Sequence, residues 1–140
     1  MEAPKIVTTL VLSQNEGSLR LRCLVFDILA AMCVLSHEDG YRTVLRAFSE
    51  ASSVTNETFR FEKTIRDLEI MGQTSSGLVE TAESTVALWD YRTATLSLIN
   101  AITSSPTSVE ARIALRDEFA RRGLSKVMTV SIVLRRRCSS

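Results

Sequence analysis

Leu21, Leu24, Val25, Ile28, Leu29, Met32 and Leu35 recur at spacings of three and four along SLRLRCLVFDILAAMCVLS, with no glycine or proline among them. That periodicity gathers the residues on one side of a helix and scatters them on a strand, so it predicts an amphipathic helix. Ser18 stands where an N-cap is wanted. Ala30 and Ala31 are small enough to admit another backbone or a ligand close to one face. The stretch YRTVLRAFSEA repeats the pattern through Val44, Leu45 and Phe48, and HEDG before it reads as a turn. Two antiparallel helices joined by a short connection are expected.

The same rule extends along the chain. TNETFRFEKTIRDLEIM is read as a helix capped by Thr55 or Asn56, with Phe59, Ile65, Leu68 and Met71 among its apolar residues. GQTSSGLVETAES, from about Gly72 to Ser84, is small and polar and reads as a loop. TVALWDYRTATLSLINAIT is apolar on more than one side, as in a helix buried between neighbours. Trp89 within it is read as a core or capping aromatic, and Asn100 as a residue that satisfies a backbone group between repeats or faces a groove. Pro106 ends that helix and Ser108 caps the next, VEARIALRDEFARRG. There Val109, Ile113, Leu115 and Phe119 offer an apolar stripe, Glu118 and Arg122 a pair four residues apart, and Gly123 a left-handed C-cap. Arg121 and Arg122 suit the negative end of the helix dipole, so the arginines need no functional explanation.

These features predict an all-α fold: an armadillo- or HEAT-like α-solenoid of about five to seven helices, built from units of about 40 residues. The length, 140 residues, suits one domain. A formal net charge of +1 gives no broad basic surface and no basis for nucleic-acid binding. His37 is the only histidine, so neither a His-based triad nor a two-His metal site can be built. Cys23, Cys33 and Cys138 are odd in number and form no C-x-x-C pair, a usage that suits a reducing cytosol; Cys33 reads as a core residue. The carboxylates Glu62, Asp67, Glu69 and Glu80 are interleaved with Arg60, Lys63 and Arg66 as on a solvated helix face, and no phosphate loop or nucleophile elbow accompanies them. No enzyme, cofactor, metal or transmembrane segment is expected, and the basic run RRRCSS at the end reads as a solvated tail.

Three stretches carry a resemblance to a known family. CLVFDILAAMCVLSHEDGYRTVLRAFSEASSVTNETFRFEKTIRDLE, ALWDYRTATLSLINAITSSPTSVEARIALRDEF and ARRGLSKVM, in this order and spacing, resemble the armadillo-repeat region of diaphanous-type formins, the formin homology-3 domain. LINAI followed by a short loop and an Arg-x-x-Leu-Arg-x-Glu-Phe helix is the most specific of these matches. The resemblance covers roughly Leu21 to Met128 and divides the chain into a partial formin homology-3 domain over 1–128 and a divergent basic tail over 129–140.

What the resemblance implies is a cytoplasmic, cytoskeleton-associated regulatory module without catalysis. In such formins this region binds an amphipathic helix from the C-terminal tail of the same protein and holds it inactive, and a Rho-family GTPase displaces that helix; actin is affected indirectly. The recognition is helix-in-groove. Matched position by position, Ala31 and Val34 are floor residues of the groove and Asp27 a polar rim residue, where the family often carries a basic side chain. The alternative is a generic armadillo or HEAT scaffold with an unrelated protein partner. Relative to the family, the chain begins inside the solenoid and replaces a charged amphipathic helix by TVSIVLRRRCSS after Met128. An incomplete solenoid leaves apolar end faces uncovered. Self-association is therefore expected, and a monodisperse, highly stable monomer in sedimentation would count against it.

Overall fold

The computed structural model describes residues 3–13, 18–74 and 82–128. Six helices follow one another: α1 (Ala3–Ser13), α2 (Leu19–Leu35), α3 (His37–Val54), α4 (Glu62–Thr74), α5 (Ala82–Ser104) and α6 (Val109–Arg121). Residues 124–128 are helical as well, and no strand occurs among the described residues. The fold is all-α, and its helices pack in a stack consistent with an α-solenoid. The broadest contact is α2 against α5; α1 lies on α3, α3 on α2, and α6 on α5. The parallel partners α2 and α5 begin at Leu19 and Ala82, so the spacing is wider than the expected unit of about 40 residues. A helix pair, α3 and α4, intervenes between them.

Ser18 caps α2 as expected, its side chain accepting from the Leu21 N–H at 3.3 Å. HEDG, expected as a turn, is instead the first turn of α3, where Glu38 and Asp39 face the positive end of the helix dipole. The reversal is made by Ser36 alone, whose N–H donates to the Met32 carbonyl at 3.1 Å. So short a junction drives the start of α3 against the end of α2. A Cβ on Gly40 would stand 2.0 Å from the Met32 carbonyl oxygen, so only glycine fits there.

The end of α3 also differs from expectation. Thr55 is its C-cap, and Asn56, with φ of 57°, follows in the left-handed region. The Glu57 N–H then reaches back to the Ser52 carbonyl at 2.9 Å, closing a Schellman-type end. Asn56 thus terminates α3 and does not cap α4. The next helix begins at Glu62, whose carboxylate accepts from the backbone of Thr58 and Phe59 at 3.2 and 3.4 Å. Phe59 is exposed, whereas Phe61 is buried. Phe61 takes φ of 68°, a costly conformation for a bulky residue. Its ring lies 4.6 Å from that of Phe48 and 4.6 Å from that of Phe119.

The expected loop from Gly72 to Ser84 is shorter in its described part, since α4 continues to Thr74 and α5 starts at Ala82. Ser108 caps α6, accepting from the Ala111 N–H at 3.3 Å, and Gly123 ends it with φ of 94°. Only Leu115 and Phe119 of the expected stripe are buried; Val109 and Ile113 face outward. Glu118 does not pair with Arg122. It receives both arms of Arg60, at 2.7 and 2.6 Å, across 58 residues of sequence. Arg122 lies instead over the Phe59 ring, 3.7 Å from its centre, and the pair four residues apart is Asp117 with Arg121 at 2.8 Å.

Helix propensity alone would make Gly40→Ala stabilising by about 1 kcal/mol. The clash with Met32 reverses the sign: urea unfolding is expected to show a loss of about 1–3 kcal/mol.

Candidate partner-binding groove

The two helices that carry the candidate residues are held together by a compact aromatic contact. Phe26 of α2 stacks on Tyr91 of α5, ring centres 5.6 Å apart and planes 27° from parallel, both fully buried. Val25, Phe26, Leu29 and Cys33 form the buried stripe of α2; burial pushes the Cys33 thiol up to about 11, as suits its expected core role. The helices run parallel: Cys23 lies near Asp90 at one end, and Ser105 Oγ donates to the Cys33 carbonyl at 3.2 Å at the other.

With one side of α2 committed to the core, the other is open. Between it and α5 runs a shallow groove. At its C-terminal end a hollow of about 660 Å³ is lined by Ala31 and Val34 from α2 and by Ser97, Asn100, Ala101 and Ser104 from α5. At its N-terminal end a second hollow of about 700 Å³ includes Cys23, Val86 and Asp90. The α5 wall is low because small side chains recur at positions 97, 101 and 104, the helical spacing that keeps them on one face.

The structure brings the sequence-derived candidates to this groove. Ala31 is exposed and Val34 is 61% exposed, so neither is consumed by packing on the next helix. Asp27 is exposed on α2 between the positions that line the two hollows. Burial first, then the charges of Asp90 and Asp27, raise the Cys23 thiol, so two carboxylates bear on this part of the groove. Asn100 faces the groove as well. Its Oδ1 accepts from Ser104 Oγ at 3.4 Å, and the link between the two helices is made by Ser105 instead. Ser97, Ser104 and Asp90 were not singled out from sequence; their spacing on the side of α5 away from Tyr91 was the available signal. Trp89 is half-buried, with Arg92 5.2 Å above its ring.

The C-terminal end of the groove is braced from below. Glu38, at the start of α3, accepts from the Thr107 N–H at 2.8 Å and the Thr107 hydroxyl at 2.7 Å, while Arg42 lies 3.1 Å away. These donors, the Thr107 backbone foremost, lower the Glu38 pKa. A lowered carboxyl pKa stabilises the fold above the ordinary glutamate range and ceases to do so as the pH falls through the folded-state value. The contact therefore ties α3 to the α5–α6 connection at neutral pH.

This arrangement of parallel helices over an open groove stands beside a sequence match. The Diaphanous FH3 Domain family matches residues 41–134, about two thirds of the chain. The chain belongs to this family. Among curated relatives, Formin-F of Dictyostelium discoideum is 31% identical over 91% of the chain, which corresponds to 9% of that protein. Formin-like protein 3 of Homo sapiens is 28% identical over 94% of the chain and 11% of its own length. Formin-like protein 1 of Mus musculus is 30% identical over 89% of the chain and 10% of its own length. The chain thus spans about a tenth of the formins that it matches. The α5 wall of the groove falls inside the family match and the α2 wall precedes it. Among the described residues no helix is long and apolar enough to cross a membrane.

The Tyr91 hydroxyl is buried and makes no hydrogen bond of ordinary geometry among the described residues, although Thr95 and Arg22 approach it, and burial pushes its pKa up to about 12. Removing an unsatisfied hydroxyl relieves a desolvation cost. Tyr91→Phe is therefore expected to leave stability unchanged or raise it by up to about 1 kcal/mol, read from thermal or urea unfolding.

Proposed function

We propose that this formin-type chain is a non-catalytic regulatory module of actin-cytoskeleton control, and that its α2–α5 groove receives an amphipathic helix from a formin C-terminal tail. The observation that carries the reading is the open face of α2, where Ala31 and Val34 stand uncovered beside the low wall of Ser97, Ala101 and Ser104. A helix laid there can bring its own side chains close to the floor, because neither wall has bulk to hold it off. Asp27 and Asp90 add negative charge, which favours an incoming helix with basic residues on its flank. Asn100 supplies a donor and an acceptor beside the apolar floor. A Rho-family GTPase is the releasing partner in this reading, acting by competition with the helix, and the module then works in the cytoplasm on formins already at the cytoskeleton. The domain assignment is part of the proposal: 1–128 as the binding module, with 129–140 as a basic tail.

The test is titration of a fluorescent formin tail peptide with the purified chain, comparing wild type with Ala31→Asp. Saturable binding is expected, weakened at least about tenfold by a buried charge on the groove floor. The variant should keep its helical circular dichroism, since Ala31 is exposed. A folded chain that does not bind the peptide, or binds it equally well with Asp at position 31, would remove the reading.

A further inference from the structure

Pro106 does more than end α5. The chain holds two prolines, and Pro106 alone follows a hydroxyl residue, Ser105. Proline has no N–H and biases the residue before it toward an extended backbone. A serine-proline pair is therefore the feature by which proline-directed protein kinases select their hydroxyl, and this sequence offers such an enzyme one serine. Ser105 opens the connection 105–108, which lies outside both flanking helices. It is half-buried, lines the C-terminal hollow of the groove, and is followed closely by the exposed Thr107 and Ser108. The connection sits where helices end, on the surface, whereas stacked helices cover one another by their faces.

The Ser105 hydroxyl also has a structural task. Its single proton is shared between the Ala101 carbonyl, one turn back in α5, and the Cys33 carbonyl of α2 at 3.2 Å. The bond to Cys33 fastens α2 to α5 at this end of the groove. Two residues on, Thr107 is held by Glu38 through both its N–H and its hydroxyl. That brace keeps the connection closed around the serine.

We propose that Ser105 is a phosphorylation site for a proline-directed serine kinase, and that its phosphate unfastens α2 from α5 at the C-terminal hollow. In the transfer, Ser105 Oγ bonds to the γ-phosphorus of ATP and the bond from that phosphorus to the leaving oxygen of ADP breaks. The hydroxyl proton passes to the base of the kinase. The product has no proton left to donate, so the Cys33 and Ala101 carbonyls face a group of nearly two negative charges at the C-terminal, negative end of α5. Attraction between the helices becomes repulsion there. The proposal concerns the α2–α5 junction itself and stands apart from the tail-helix reading, since none of its readouts uses the tail peptide.

The test incubates the full chain, its Ser105→Ala and Glu38→Ala variants, and a peptide spanning 100–112 with ATP and a proline-directed serine kinase. Mass spectrometry follows the product. One phosphoryl group is expected on wild type, mapped to Ser105 and absent from Ser105→Ala. The folded chain should react more slowly than the peptide, and Glu38→Ala, with the brace released, should react several-fold faster than wild type. Amide hydrogen exchange over 32–35 and 101–104 should quicken by about tenfold or more in the phosphorylated chain, and its unfolding midpoint should fall by about 3–6 °C. Ser105→Ala loses the same bond without gaining charge, so its changes should be much smaller. A peptide that is phosphorylated while both folded chains are not overturns the proposal, as does phosphate on any other residue. So does a phosphorylated chain whose exchange matches that of wild type or of Ser105→Ala.

Discussion

Phe61 is held with φ of 68° between the rings of Phe48 and Phe119, and the course of the chain through the molecule depends on that residue. A bulky side chain in the left-handed region is costly and persists only where its surroundings repay the cost. Here the repayment is burial of three aromatic rings drawn from α3, the connection before α4, and α6. Arg60, one residue earlier, closes the same junction from outside through its two bonds to Glu118 and a third, at 3.4 Å, to Ser49. With α3 and α6 joined at this point, α4 departs in a direction that lets α5 return alongside α2.

That return produces the groove. Parallel helices packed through Phe26 and Tyr91 present similar ends at the same level, so each end of the pair opens into its own hollow. Had α5 carried large side chains at positions 97, 101 and 104, the gap would be filled. The floor is therefore a consequence of small residues on one wall and of an aromatic contact that sets the distance between the walls. The carboxylates of Asp27 and Asp90 lie along it, with the Arg20 side chain at its N-terminal hollow.

Charge is used differently on the outer helix. Among the arginines of α6, Arg121 pairs with Asp117, and Arg112 donates to the carbonyls of Pro106 and Thr107 at 2.9 and 3.2 Å, securing the turn before the helix. Arg122 covers the exposed ring of Phe59. An exposed ion pair on a helix contributes little stability, whereas the bidentate Arg60–Glu118 contact spans two parts of the chain that no local rule connects. The residue type is the same; its consequence is set by where the fold delivers it.

The sequence by itself determined the helices and several of their ends. The spacing of apolar residues, Ser18 and Ser108 as caps, Pro106 as a break and Gly123 as a left-handed end are local chemistry, and each stands where that chemistry put it. The placement of Ala31, Val34 and Asn100 beside one hollow, with Asp27 exposed on the same helix as the first two, is what the structure adds to candidates that came from a family resemblance or from position within a helix. Tertiary structure decided the rest, because it turned on contacts between residues far apart in sequence. The turn expected in HEDG moved to Ser36 because Gly40 lets two helices touch. Asn56 ended one helix rather than starting another because its left-handed turn lets the Glu57 N–H return to the Ser52 carbonyl. Glu118 abandoned its neighbour Arg122 for Arg60, and α5, apolar on several sides, kept one face open because the chain offers nothing to cover it among the described residues. Local spacing specifies which faces of a helix are able to be buried; only the packed structure specifies which of them are.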